Sequence, residues 1–163
     1  MAMRLFNTLT RAKAPFIPIV PGKASIYVCG PTVYDDPHLG HARSAVIYDV
    51  MRRYLKAKGY SVTYVRNVTD IDDKIIEKAR GQNRHYRNLS AHFLHRYQQA
   101  MERLNVLSPD AEPRATDFIL PIQDFISRLI QGGHAYRTGG NVYFAVESFD
   151  GYGKLSGRAI PTV

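Results

Sequence analysis

Ser25-Ile26-Tyr27-Val28-Cys29 is the first run with the character of a strand, β-prone and stopped by Gly30-Pro31. A loop follows from Thr32 to Gly40, turning at Asp35-Asp36-Pro37. From about His41 to Lys58 the apolar positions change period. Val46, Val50 and Tyr54 recur at four-residue spacing beside a second row of Ile47, Met51 and Leu55. The two rows predict a helix with one broad apolar face, and Gly59 stands where its C′ residue belongs. Ser61 to Val68 is rich in β-branched residues and predicts a second strand. Thr69-Asp70-Ile71-Asp72-Asp73 then leads into a helix to about Arg80, its acidic start suiting the positive end of the helix dipole. Strand, helix, strand, helix in that order predicts a parallel α/β unit with a right-handed crossover.

The second half has a different rhythm. Ser90 is the expected cap of a helix to about Val106, with Phe93, Leu94, Tyr97, Met101 and Leu104 inward. Ser108-Pro109-Asp110 and Glu112-Pro113 punctuate a connection. Thr116 is the expected cap of a further helix to Gln131, with Pro121 early enough to be tolerated. Ala135 to Val146 predicts a β-hairpin turning at Gly139-Gly140. From Asp150 onward the chain is glycine-rich and aperiodic.

Composition narrows the class. With 163 residues, 45% hydrophobic and 22% charged, the chain is an ordinary globular sequence able to bury a core. No apolar run of about 18 residues predicts a membrane span, and the start lacks a secretory pattern. A single cysteine, Cys29, excludes an internal disulfide and fits a cytoplasmic setting. The net charge of +8 favours a polyanionic partner, although the charges are scattered and a merely solvated basic surface is the competing reading.

The stretch from Cys29 to His41 carries the candidate chemistry. It joins the end of a strand to the start of a helix, and ligands bind in that crevice of open α/β sheets. A helix N-terminus offers free N–H donors and partial positive charge, both suited to phosphate. His38 and His41 flank Gly40 and add donors, while the glycine lets a ring or phosphate approach the backbone. By themselves these residues leave other readings open. The histidines fit an ordinary loop, Gly40 fits a turn, and a lone cysteine is more often a small buried hydrophobe than a ligand. A tetrahedral zinc site needs about four ligands. Asp70, Asp72 and Asp73 read as a metal cluster or as capping residues, and their place at a helix start favours capping.

The segment resembles the first signature of cysteinyl-tRNA synthetases, in which a strand-end cysteine precedes Gly-Pro-Thr-Val-Tyr-Asp and a HIGH-type motif, here His38-Leu39-Gly40-His41. Phe6 to Thr10, Tyr64 to Ile75, Glu112 to Thr116, Gly133 to Tyr136, Asn141 to Phe144 and Tyr152 to Gly157 resemble further family blocks in the same order. The resemblance implies an α/β fold: a Rossmann-like parallel sheet, the HIGH-type half of a nucleotidyl-transferase domain. Residues 1–115 would form the first half of that domain. Residues 116–163 would be a helix and the start of a connective insertion containing the hairpin.

The resemblance also implies an activity: a class I ligase making cysteinyl-adenylate from L-cysteine and ATP and passing cysteine to tRNA(Cys). His38 and His41 would hold the ATP phosphates and stabilise charge at the α-phosphate, with Mg²⁺ as counter-ion. Gly40 would face adenine. Gly30, Thr32 and Thr69 would line the amino-acid pocket, and Cys29 would be one ligand of a Zn²⁺ that binds the substrate thiolate. A soft thiolate on zinc separates cysteine from serine, which an apolar pocket does poorly.

The sequence departs from that pattern in its extent. It holds no KMSKS-like lysine loop and no later Cys, His and Glu ligands, and residues 158–163 are less family-like. It therefore reads as a partial catalytic domain, expected to activate cysteine poorly alone and to hold zinc weakly. The competing readings are a cysteine ligase acting on a small amine acceptor, a small HxGH nucleotidyltransferase, and a non-catalytic RNA-binding module.

Overall fold

The computed structural model describes residues 3–158, so the reading of 158–163 falls, beyond 158, outside the described residues. Two compact units are present. One takes residues through Ile17 together with those from Ile119, and the other runs from Pro18 to Phe118.

In the first unit β1 (Arg4–Asn7) and β2 (Ala12–Pro15) form an antiparallel hairpin that the sequence pattern did not announce. Its strands are four residues long and lack alternation, and its turn places Arg11 rather than glycine at positive φ (53°). The expected hairpin is present, with β5 (Ala135–Thr138) and β6 (Asn141–Phe144) joined at Gly139-Gly140, both at positive φ. The helix α4 (Ile119–Gln131) holds Pro121 in its first turn, where a missing N–H costs nothing. Thr116 does not cap it. That residue lies in a separate 3₁₀ turn, Ala115–Phe118, which belongs to the other unit.

The Pro18–Phe118 unit carries the parallel sheet. β3 (Lys23–Val28) and β4 (Ser61–Arg66) pair in parallel from Lys23↔Ser61 to Val28↔Arg66, joined by α1 (Leu39–Ala57). Both strands alternate exposed with buried positions in large part, as a half-covered sheet must. The pairing continues past the strand ends as a parallel bridge between Thr32 and Thr69. On the other side of β4, residues 110–115 add a strand-like edge, with bridges Val65↔Ala111 and Val68↔Arg114. α2 (Asp73–Gly81) and α3 (Tyr86–Arg103) cover the core formed by Val33, Val68, Ile75, Leu89, Phe93 and Leu94.

Three expectations are corrected here. α1 buries little of the predicted stripes: Val46, Ile47, Val50 and Tyr54 are exposed and Met51 is half-buried, so of the six only Leu55 is buried, beside Ala45, Asp49 and Arg52. Two of those are charged because they hold the 105–110 connection. Asp49 accepts from Leu107 N (3.1 Å), and Arg52 donates to the Ser108 carbonyl and to Asp110 (2.6 Å each). α3 starts at Tyr86 rather than after Ser90, because the His85 ring accepts from Arg87 N and caps it first. Ser90 is buried within the helix, its hydroxyl turned to the Arg87 carbonyl. Leu104 is the C-terminal cap and half exposed, whereas Phe93, Leu94, Tyr97 and Met101 point inward as expected.

Candidate active site

The C-terminal ends of β3 and β4 and the N-terminus of α1 meet at the segment singled out in the sequence. Gly30 N donates to Asn67 Oδ1 (2.9 Å), Thr69 N to the Pro31 carbonyl (3.1 Å) and Val33 N to the Thr69 carbonyl (3.2 Å). These bonds lace the loop after β3 to the loop after β4 and bring Thr32 beside Thr69.

The two histidines close the helix end reciprocally. His38 is the N-cap of α1: its Nδ1 accepts from Gly40 N (3.1 Å), while His38 N donates to His41 Nδ1 (3.2 Å). This is a capping box made of imidazoles, and the rings lie 4.0 Å apart. Because both Nδ1 atoms accept, each neutral ring carries its proton on Nε2, leaving that N–H to donate to a ligand. His41 is half-buried, with its ring edge-to-face with Tyr97 at 6.1 Å.

Burial holds the His41 pKa below its ordinary value, and the neighbouring His38 pushes it the same way. Folding therefore favours the neutral ring. That stabilisation is complete above the ordinary value of about 6.5 and is lost as the pH falls through the lower folded value. Between about pH 8 and about pH 5 the melting temperature should drop further in the natural chain than in His41→Gln. Glutamine keeps an acceptor at the N3 position but does not titrate. One capping interaction of about 1 kcal/mol predicts a difference of about 2–4 °C. Equal drops in both proteins would refute it.

Two cavities flank His41. The smaller, about 160 Å³, is lined by Cys29, Gly30, Gly40, His41, Tyr64, Arg66 and Tyr97 among others. The larger, about 380 Å³, is lined by Gly30, Thr32, Tyr34, Asp35, Asp36, His38, His41 and Lys74. Thus Cys29, Gly30, Gly40 and His41 share one cavity, and Gly30, Thr32, His38 and His41 share the other. Thr69 lines neither, although its backbone supports Thr32.

Cys29 is exposed, its Sγ nearest a backbone acceptor at Gly30 O (3.7 Å). Among the described residues no group of three His, Cys, Asp or Glu side chains is placed to hold a metal, so they do not by themselves fit a zinc ion. Of the acidic residues after β4, Asp72 caps α2 and Asp70 fixes a distant turn. Asp72 accepts from Lys74 N (3.0 Å), and buried Asp70 accepts from the Thr116 amide (3.0 Å) and hydroxyl (2.6 Å).

Arg66, Tyr97 and Lys74 were given no site role in the sequence reading. Arg66 had a signal: it falls on the buried phase of β4 with Val62, Tyr64 and Val68, where a charge needs a reason. Its guanidinium reaches Glu112 (2.7 Å) and the Tyr97 hydroxyl (3.2 Å) and lies 4.9 Å from the Tyr97 ring centre. Tyr97 shows only a helix-period apolar position, and Lys74, although inside the Tyr64 to Ile75 block, gives no sign of a site role of its own.

The chain matches the model of the class I (C) tRNA synthetase catalytic domain over residues 15–163, a match that runs through the less typical final segment. It is 52% identical over 158 residues to a cysteine–tRNA ligase of Trichlorobacter lovleyi, covering 97% of this chain and 32% of that protein. It is 51% identical over 159 residues to one of Solidesulfovibrio magneticus, covering 97% and 33%. The chain thus spans about a third of the length of these relatives. Among solved structures it resembles the Mycobacterium tuberculosis methionyl-tRNA synthetase in complex with methionyl-adenylate, with a TM-score of 0.64 and 21% identity over 70% of this chain and 23% of that one. It also resembles the Agrobacterium radiobacter LeuRS in its ternary complex with tRNA and LeuAMS, with a TM-score of 0.63 and 23% identity over 75% and 16%. These two likenesses concern the fold, which is the α/β catalytic fold of class I synthetases. With the parallel β3–α1–β4 unit, the histidine-capped helix and the extended sequence match together, the chain belongs to the class I (C) tRNA synthetase catalytic-domain family.

Proposed function

We infer that this chain is the nucleotide-binding part of a cysteine–tRNA ligase. The observation that carries the reading is the pair of rings at the start of α1, each with Nδ1 committed to the helix and Nε2–H left to donate beside a cavity. In the proposed reaction a carboxylate oxygen of L-cysteine attacks the α-phosphorus of ATP–Mg²⁺. The bond to pyrophosphate breaks, and cysteinyl-adenylate forms. A ribose hydroxyl at the 3′ end of tRNA(Cys) then attacks the acyl carbon and AMP departs.

His38 and His41 serve as preorganised donors to phosphate oxygens, an interaction that strengthens as negative charge accumulates. Gly40 opens the start of α1 to the adenine ring. Gly30, Thr32 and Thr69 serve the amino-acid side: Gly30 lines the smaller cavity, which has room for one small side chain, while Thr32 lines the larger and Thr69 supports it through the backbone. Cys29 offers a single thiolate toward zinc, so no step is routed through the metal. A basic chain with this site suits a cytoplasmic enzyme of polyanionic substrates.

The test is a graft. Replacing the matching third of the Trichlorobacter lovleyi ligase with this chain should give a protein that charges tRNA(Cys) with cysteine and supports cysteine-dependent ATP–pyrophosphate exchange. Changing His38 and His41 to alanine in the graft should lower the exchange rate about 10²–10³-fold. A folded graft with no exchange, or one indifferent to the two histidines, would overturn the reading.

A further inference from the structure

The larger cavity beside the histidines has an unusual charge balance. Asp35 and Asp36 both line it, which would repel a phosphate chain, yet each is matched by a cation from outside the lining. Lys78 Nζ lies 3.1 Å from Asp35, and Arg96 Nε lies 2.5 Å from Asp36. The Asp35 carboxyl is held below the usual range, first by the Asp36 amide and then by Lys78, so it stays ionised and paired. The histidines add donors rather than fixed charge, because their Nδ1 atoms accept from the helix backbone and a ring proton there would break the cap.

That leaves Lys74. It is the one Lys or Arg lining the cavity, and among the described residues it has no ion-pair partner. Its position is built. Its backbone N–H is fixed by the Asp72 cap at the start of α2, and its ammonium lies 5.6 Å from the centre of the Tyr34 ring, which lines the same cavity. The ring supports the charge without neutralising it.

We propose that Lys74 is a polyphosphate-binding residue, its ammonium supplying the uncompensated positive charge of the cavity and contacting the phosphate chain of the nucleotide opposite His38 and His41. This rests on the reading of the site as an ATP site and names the group that gives it a net charge.

Equilibrium dialysis of the 163-residue chain against inorganic tripolyphosphate and, separately, ATP tests it. Lys74→Met should weaken tripolyphosphate binding about tenfold and flatten its salt dependence, while Lys74→Arg should stay within about twofold. Lys74 is exposed, so both variants should keep the circular dichroism of the parent. Equal affinity of Lys74→Met and the parent, or no tripolyphosphate binding by the parent, would overturn the proposal. Lys74-dependent tripolyphosphate binding with ATP bound no more tightly would uphold Lys74 as an anion site and count against the adenylating reading. Tighter binding of ATP, with the same dependence on Lys74, supports both.

Discussion

Gly30→Ala is expected to cost about 3 kcal/mol or more, enough to leave much of the chain unfolded at moderate urea concentrations. A Cβ built on Gly30 would fall on the carbonyl oxygen of Asn67 and stand 3.1 Å from Arg66 Cγ. The first neighbour is backbone, held between the last pair of β3 and β4, Val28↔Arg66, and the Thr32↔Thr69 bridge beyond it. Relief requires the two strand ends to separate, which would also break the bond from Gly30 N to Asn67 Oδ1. Gly59→Ala makes the contrast: that glycine sits at φ 85° with nothing near its missing Cβ, so it should cost only about 1–2 kcal/mol of backbone strain. Urea denaturation followed by far-UV circular dichroism measures both. A Gly30→Ala midpoint as high as that of Gly59→Ala would show that the strand ends are not so closely apposed.

Glu112→Ala is expected to destabilise the chain by about 3 kcal/mol, because it strands a buried cation. Arg66 is 4% exposed, and its Nε already has no hydrogen-bond partner among the described groups. Among the described residues Glu112 is its only carboxylate, at 2.7 Å, and it also accepts from Gln98 Nε2 at 2.9 Å. Removing the acid leaves the guanidinium with the Tyr97 hydroxyl and ring alone. The double change Arg66→Met with Glu112→Leu should cost less than Glu112→Ala by itself, since it removes the uncompensated charge along with its partner. Urea denaturation of Glu112→Ala and of the double variant checks this. A double variant less stable than Glu112→Ala would mean that packing rather than charge dominates.

The elements legible in the sequence are those whose signal is local. β3, β4 and α2 announce themselves by β-branched runs or an acidic N-terminus, and the hairpin at Gly139-Gly140 by its turn chemistry. Where tertiary contacts decide, the pattern misleads. Of the two rows on α1, Val46, Val50, Tyr54 and Ile47, Met51, Leu55, only Leu55 is buried, and Asp49 and Arg52 share the buried side because the 105–110 connection supplies their hydrogen-bond partners. The pattern places the start of α3 at the serine, whereas a histidine five residues earlier accepts from Arg87 N and opens the helix there. Of the candidate site, His38, Gly40, His41, Cys29 and Gly30 were legible because they lie in one continuous stretch. Arg66, Lys74 and Tyr97 reach the same cavities from β4, α2 and α3, and only the fold brings them there.

The reciprocal capping of α1 changes how an anion arrives. A helix start is commonly pictured as a vacant ring of donors, but here the Gly40 N–H is already taken by His38 Nδ1. An anion that claims that N–H must turn the imidazole away, so the event is an exchange of one acceptor for another with little net gain in hydrogen bonding. The cap is therefore better kept, and an anion approaching α1 meets the two outward Nε2–H groups rather than a bare ring of backbone amides.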